Sequence, residues 1–135
     1  IPRTSTFEDT GGPFYLDPEG LRADPINDDL ALWIRTSGGV VVCTGCSHSG
    51  LVNTLTHVRQ LEADGGPVQA ILGGFHLQGA TRDRLEHTVD ALRALAPRLI
   101  VPCHCTGETA VALLDEELGE RVIPGTAGQT YRLHP

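Results

Sequence analysis

The run Val40-Val41-Val42-Cys43-Thr44-Gly45-Cys46-Ser47-His48-Ser49-Gly50 constrains this chain more than any other stretch. Three β-branched residues bounded by glycines suit a strand buried on both faces. Beyond the turn, Leu51, Leu55, Val58 and Leu61 recur at helical spacing, so the apolar period switches from strand to helix across about seven residues. Side chains in such a turn sit at the carboxyl end of the strand, where the free N–H groups of the following helix also point. A metal ion or an anion is the natural occupant of such a place.

The strand-turn-helix unit occurs three times. A helix over about 50 to 63 is followed by the breaker Asp64-Gly65-Gly66-Pro67 and a short strand, Val68 to Leu72, that ends in Gly73-Gly74-Phe75-His76-Leu77. A second amphipathic helix runs from about Arg82 to Leu95 and stops at Pro97. Leu99-Ile100-Val101 forms the next strand and runs into Pro102-Cys103-His104-Cys105-Thr106-Gly107, after which Ala110, Val111, Leu113, Leu114 and Leu118 mark a third helix ended by Gly119. Upstream, Leu30 to Arg35 reads as a strand joined to the one at 40 to 44 by a Ser37-Gly38-Gly39 turn. Val122-Ile123 and Thr130 to Leu133 read as edge strands, and residues 1 to 29, rich in Pro, Gly and Asp, as an irregular arm.

Each unit places a histidine just past its strand: His48, His76 and His104. Strands connected by helices bring their carboxyl ends to one rim, so residues far apart in sequence converge there. Imidazole suits zinc and similar borderline metals, and a catalytic zinc keeps three protein ligands and one open position. His48 and His104 are the candidate metal ligands. The glycines before His76 suit close backbone approach, which leaves its imidazole to bind substrate or move a proton. His57, in mid-helix, and His87, off the apolar stripe of its helix, read as solvated, and His134 carries no role.

The cysteines come as two close pairs, Cys43 with Cys46 and Cys103 with Cys105, each beside a histidine. That clustering favours free thiols in a reducing compartment, the cytoplasm by default, over structural bridges. Together they could make a four-cysteine zinc site. Against it, Cys43 lies inside the predicted strand, and Cys103-His104-Cys105 would alternate faces if extended. Cys43 and Cys103 therefore read as buried core cysteines, and Cys46 as a ligand or a group supporting one. Ser47, Ser49 and Thr106 stand at helix starts, where N-capping is the ordinary role. The same starts offer N–H groups to a phosphate or carboxylate, so an anionic substrate is expected.

Bulk properties narrow the class. The 135 residues suffice for one packed domain, and the net charge of −7, with scattered arginines, gives no nucleic-acid footprint. No apolar run approaches the roughly 20 residues that cross a bilayer. The sequence opens on Ile1-Pro2-Arg3, with neither methionine nor a secretory pattern, which reads as a piece of a longer protein.

The motifs Ile1-Pro2-Arg3-Thr4, Asp28-Asp29-Leu30-Ala31-Leu32, Gly45-Cys46-Ser47-His48-Ser49-Gly50-Leu51-Val52-Asn53, Gly73-Gly74-Phe75-His76-Leu77 and Pro102-Cys103-His104-Cys105-Thr106-Gly107 together carry a resemblance over nearly the whole chain. The chain resembles the carboxyl-terminal half of a metallo-β-lactamase-fold protein, in the branch named for a synthase that joins a dihydropterin to a ribofuranosyl-aminobenzene phosphate. The resemblance implies an α/β fold, the second half of an αββα sandwich, occupying 30 to 135 after the arm. It implies a divalent metal on the rim, usually zinc, with iron or manganese as alternatives. The resemblance implies that His104 matches the last metal-binding histidine of that superfamily, that His48 lies where relatives carry the metal-bridging aspartate or a neighbouring ligand, and that His76 matches an active-site loop residue. The superfamily's His-x-His-x-Asp-His run is absent from this chain. The expectation is a metal-dependent hydrolase or transferase for a small anionic substrate, inactive without the missing half and pairing with that half or with itself. The alternative is a non-catalytic module holding a structural metal through its Cys/His cluster.

Overall fold

A hairpin starts the sheet. In the computed structural model, which describes residues 1–9, 12–62, 64 and 66–133, strand β1 (Ala31–Thr36) pairs antiparallel with β2 (Gly39–Thr44), from Ala31 opposite Thr44 to Thr36 opposite Gly39. Strands β3 (Val68–Gly74) and β4 (Leu99–Cys103) then add in parallel, giving the order β1-β2-β3-β4. Helices α1 (Leu51–Leu61) and α2 (Arg82–Leu95) make the two crossovers, and α3 (Glu108–Leu118) follows β4. Successive crossovers of one hand, advancing in one direction, leave their helices on one face.

The core sits on that face. Val42, Ile71 and Ile100 lie in one cross-strand row and pack with Leu51, Leu55, Val58, Leu92 and Leu114 from the three helices. The row on the opposite face is Leu32, Cys43, Leu72 and Val101. This second face is apolar as well, yet at its β1 edge Leu32 is 66% and Ile34 59% exposed. Trp33, on the helix side of β1, packs against the core and donates its indole N–H to Glu62 at 2.8 Å, and Arg35 pairs with the same carboxylate.

Helix α2 occupies the residues its pattern predicts. The Thr81 side chain accepts from the Arg84 N–H at 3.3 Å to cap its start, and Ala96, just before Pro97, ends it in the left-handed region at φ 49°. Helix α1 ends at Leu61. The predicted terminus at residue 63 lies outside the described residues, as do Gly65 of the predicted breaker and His134.

Other expectations need correction. Thr130 to Leu133 form no strand, because residues 122 to 125 already occupy the free edge of β4: Val122 bridges Ile100, the Ile123 N–H donates to the Ile100 carbonyl, and that of Gly125 to the Pro102 carbonyl. Even there only the single bridge at Val122 forms. Cys43 and Cys103 are half-buried rather than core residues, since both lie on the open face of the sheet. His57 is half-buried, whereas His87 is exposed and stacks on Phe7 with ring centroids 4.6 Å apart.

The arm carries no helix and, among the described residues, only the bridge between Tyr15 and Ala23, but it is firmly tied down. The buried Glu8 carboxylate accepts the N–H groups of Val52 and Asn53 at 2.8 Å each. The Asn53 side-chain oxygen in turn accepts the N–H groups of Thr4 at 2.9 Å and Ser5 at 2.8 Å.

Candidate metal centre

The three strand ends converge as the topology requires, and their backbones are unusual. Ser47 (φ 60°), His76 (φ 48°) and His104 (φ 51°) lie in the left-handed region that non-glycine residues seldom enter, one in each strand-to-helix turn. Such conformations cost on the order of 1 kcal/mol or more each and persist where the surroundings enforce them.

Gly74 is the piece that lets the turns close up. Its N–H donates to the Gly45 carbonyl at 3.0 Å, and its carbonyl accepts the hydroxyls of Ser47 at 2.9 Å and Thr44 at 3.0 Å. A Cβ at this position would lie 2.5 Å from the Gly45 carbonyl oxygen and 2.8 Å from Cys105 Sγ. The glycines before His76 therefore admit the β2 turn and a sulfur atom.

Two side-chain groups result. In the first, ligand atoms of Cys46, His104 and Cys105 all lie within 4.8 Å of one another. Cys46 Sγ is 3.5 Å from His104 Nδ1, and the Cys105 thiol contacts the Cys46 carbonyl at 3.5 Å. In the second, the rings of His48 and His76 meet edge to face at 4.5 Å, with Phe14 of the arm 5.2 Å from His48 and 6.2 Å from His76. Arg3 holds this side of the arm by donating to the carbonyls of His48 at 2.8 Å and Pro25 at 2.7 Å.

Sequence reading paired His48 with His104. In the structure the ring of His48 meets His76 and Phe14, whereas His104 meets Cys46. Linear reading admits Cys105 only to a structural cysteine site, because an extended Cys103-His104-Cys105 would turn it away from His104. Instead β4 stops at Cys103, and His104 to Thr106 form a 3-10 turn that brings both side chains to Cys46. The signal that could have exposed this was the Gly107 that follows, a helix N-cap with φ 79°, which requires the chain to leave the strand first.

The three hydroxyl residues are buried, and the hydroxyls of Ser47 and Thr106 are spent on backbone carbonyls of the turns. Ser47 donates to Gly74, and Thr106 donates to the Cys103 carbonyl at 2.8 Å while accepting the Phe75 N–H at 3.1 Å. The Ser49 N–H donates to Asp29 at 2.8 Å. None of the three caps a helix, since the N-cap residues of α1 and α3 are Gly50 and Gly107. At the start of α1 the predicted anion position is filled by the chain's own Glu8.

The Cys105 thiol is pushed up to about 11, first by burial; a backbone hydrogen bond from His76 opposes this, and the neighbouring Cys46 adds to it. Burial also raises Cys43. Because the thiolate is the reactive form, a raised value leaves Cys105 protonated through the ordinary thiol range. In metal-free protein, its alkylation by iodoacetamide is expected to keep rising well above pH 9, as read by mass spectrometry of the Cys105 peptide. A rate already level by that pH would contradict the burial argument.

The donor set fits a divalent ion of the zinc class. With zinc–sulfur bonds of roughly 2.3 Å and zinc–nitrogen bonds of roughly 2.0 Å, a tetrahedral centre sets its sulfur and nitrogen ligands roughly 3.5 Å apart. Cys46 and His104 already stand at that separation.

Fold and site together define the class: one sheet of a metallo-β-lactamase sandwich, its helices on one side and a Cys/His cluster on the rim. The chain resembles the metallo-β-lactamase superfamily and, within it, the dihydropterin/ribofuranosylaminobenzene-phosphate synthase branch. It is 34% identical over 112 residues to 7,8-dihydropterin-6-methyl-4-(beta-D-ribofuranosyl)-aminobenzene-5'-phosphate synthase of Methanocaldococcus jannaschii, a match covering 82% of this chain and 37% of that protein. Uncharacterized protein MJ0448 of the same organism is 36% identical over 117 residues, or 86% of this chain and 41% of its own length. The crystal structure of Tm1679, a metal-dependent hydrolase of the beta-lactamase superfamily, superposes with a TM-score of 0.78 at 35% identity, covering 84% of this chain and 44% of that one. No protein-family model matches the chain. The chain thus spans about two fifths of the length of the relatives it matches. No helix among the described residues is long and apolar enough to cross a membrane.

Proposed function

We propose that this chain supplies one side of the active centre of a metal-dependent hydrolase or transferase acting on a small anionic, phosphorylated substrate, and that it is inactive until a second polypeptide segment completes the centre. The observation that carries this reading is the meeting of Cys46, His104 and Cys105 at the rim of a fold shared with a metal-dependent hydrolase. A zinc-class ion held there supplies Lewis acidity and a nucleophile at neutral pH. His48 and His76, paired beside it, are the groups to hold substrate or move a proton. A groove of about 750 Å³ opens alongside, lined by Gln78, His104, Gly107, Glu108 and Gly125, and gives a small substrate room next to the ligand histidine. The phosphorylated substrate is carried over from the name of the synthase relative.

The completing segment is expected on the open face of the sheet. Leu32 and Ile34 on β1, with Leu30 just before it, form an exposed apolar stripe of a kind that soluble proteins usually cover. Wild-type chain alone is expected to sediment as a self-associated species, and Leu32→Asp with Ile34→Lys as a monomer. A monomeric wild type would remove the argument for a partner on this face.

The activity test supplies the chain with a separately expressed first half from a relative that carries the His-x-His-x-Asp-His run. It then measures hydrolysis of phosphoesters and lactones with zinc, iron(II) or manganese. Activity should require both pieces and the metal, and should fall at least a hundredfold in His104→Ala. Metal-independent turnover would overturn the metal-dependent reading, and no turnover in any combination would leave the non-catalytic module as the better account.

A further inference from the structure

We infer that Cys46 and Cys105 are a reversible dithiol–disulfide pair: a small-molecule disulfide of the glutathione class oxidises them to a cross-link between the turns that follow β2 and β4, and the cross-link switches the rim site off. The cross-link follows from the placement of the two sulfurs alone, whereas the switching rests on the metal-dependent reading above.

The four cysteines are free thiols, each half-buried and so within reach of a small oxidant. Cys46 and Cys105 are 59 positions apart in sequence, yet their sulfurs lie within 4.8 Å of one another, and the Cys105 thiol donates to the Cys46 carbonyl at 3.5 Å. A disulfide needs the two sulfurs at about 2.0 Å, with Cβ atoms roughly 3.8 Å apart. Room to close that gap is left by a missing side chain. A Cβ on Gly74 would stand 2.8 Å from Cys105 Sγ and 3.3 Å from Cys46 Cα, so both cysteines border the space that such a side chain would take. Rotation of two short side chains brings the sulfurs together there. Two hydrogen bonds keep the turns in place meanwhile, from the Gly74 N–H to the Gly45 carbonyl at 3.0 Å and from the Gln78 N–H to the Cys105 carbonyl at 3.2 Å.

Cys43 and Cys103 are placed differently. Cys43 on β2 lies opposite Leu72 of β3, and Cys103 on β4 opposite Gly74, so β3 stands between them and sets them two strand spacings apart, roughly 9 to 10 Å. Both belong to the open face of the sheet, away from the rim where the other two meet.

The exchange balances in two steps. One cysteine sulfur attacks the small disulfide, breaking its S–S bond and releasing one small thiol; the other cysteine sulfur then attacks the mixed disulfide, forming the Sγ–Sγ bond and releasing the second. The two thiol protons of the protein end on the two released thiols, and two electrons pass from protein to oxidant. In the product neither sulfur is a thiolate, the form that binds a metal, so His104 is the one donor left of the three.

The test exposes the reduced, metal-free chain to oxidised glutathione and maps its cross-links in a non-reducing tryptic digest. Residues 36–59, which hold Cys43 and Cys46, should appear joined to 99–121, which hold Cys103 and Cys105, and dithiothreitol should separate them. Cys46→Ser and Cys105→Ser should each abolish the link, whereas Cys43→Ser and Cys103→Ser should keep it. Closing so long a loop should raise the melting temperature of the wild type by roughly 5 to 10 °C, and the oxidised chain should bind zinc at least roughly tenfold more weakly than the reduced one. A glutathione adduct without a cross-link, a disulfide confined to Cys43 with Cys46 or to Cys103 with Cys105, or a link that survives in Cys105→Ser overturns the pair. A cross-link that leaves zinc binding unchanged overturns the switch. No zinc uptake by the reduced chain overturns the metal-dependent reading and the switch with it, while the cross-link is still decided by the digest.

Discussion

Gly74→Ala is expected to lower the melting temperature by roughly 10 °C, a loss of about 2 to 4 kcal/mol, and to abolish metal uptake at the rim. The added methyl cannot be absorbed by a flexible side chain, because the nearest atom, 2.5 Å away, is the Gly45 backbone oxygen. That oxygen also accepts the Gly74 N–H at 3.0 Å, so relieving the clash means separating β3 from the β2 turn. The hydroxyl bonds from Ser47 and Thr44 to the Gly74 carbonyl weaken with it. Cys105 Sγ, 2.8 Å from the new carbon, is displaced from Cys46. Gly45→Ala is the control: nothing lies within 4 Å of its Cβ position, so a change within about 0.5 kcal/mol is expected. Thermal melts and cobalt titration of the two variants decide the matter, and equal melting temperatures would refute the steric argument.

Glu8→Ala is the second large effect, about 2 to 4 kcal/mol, although the residue lies in the irregular arm. Helix α1 receives no side-chain cap from its own Gly50, and Glu8 takes that role from 44 residues away by accepting at Val52. Gly50 has to be glycine for this. Its φ is 97°, and a Cβ there would stand 2.2 Å from the Glu8 carboxyl carbon. Removing the carboxylate leaves two N–H donors at the buried helix start without an acceptor, each costing about 1 to 3 kcal/mol before water relieves part of it. Asn53→Ala releases the arm at the neighbouring clamp, so the double variant should cost less than the sum of the two singles. Denaturant unfolding of the four proteins measures this, and strict additivity would mean that the two clamps act independently.

Much of the architecture was legible because its signals are local. The change from a run of valines to helical spacing after Gly50 marks β2 and α1, and the apolar period from Arg82 with the stop at Pro97 brackets α2. The sites of failure are non-local. Thr130 to Leu133 have strand-like composition, but a strand needs a free edge, and residues 122 to 125 had taken that of β4. The cap of α1 looked like the business of Ser47 and Ser49, since nothing in a linear reading couples Glu8 to a helix so far along the chain.

The amino-acid sequence alone determined that three strands end in histidine-bearing turns and that those turns share a rim, because periodicity and helical connections are properties of short segments. Which donors meet there was decided only in three dimensions. Cys105 reaches Cys46 because His104 adopts a left-handed φ of 51° and because Gly74, on the strand between them, has no side chain in the way. Backbone dihedrals and the register of neighbouring strands set such distances to within an ångström, whereas residue spacing along the chain does not.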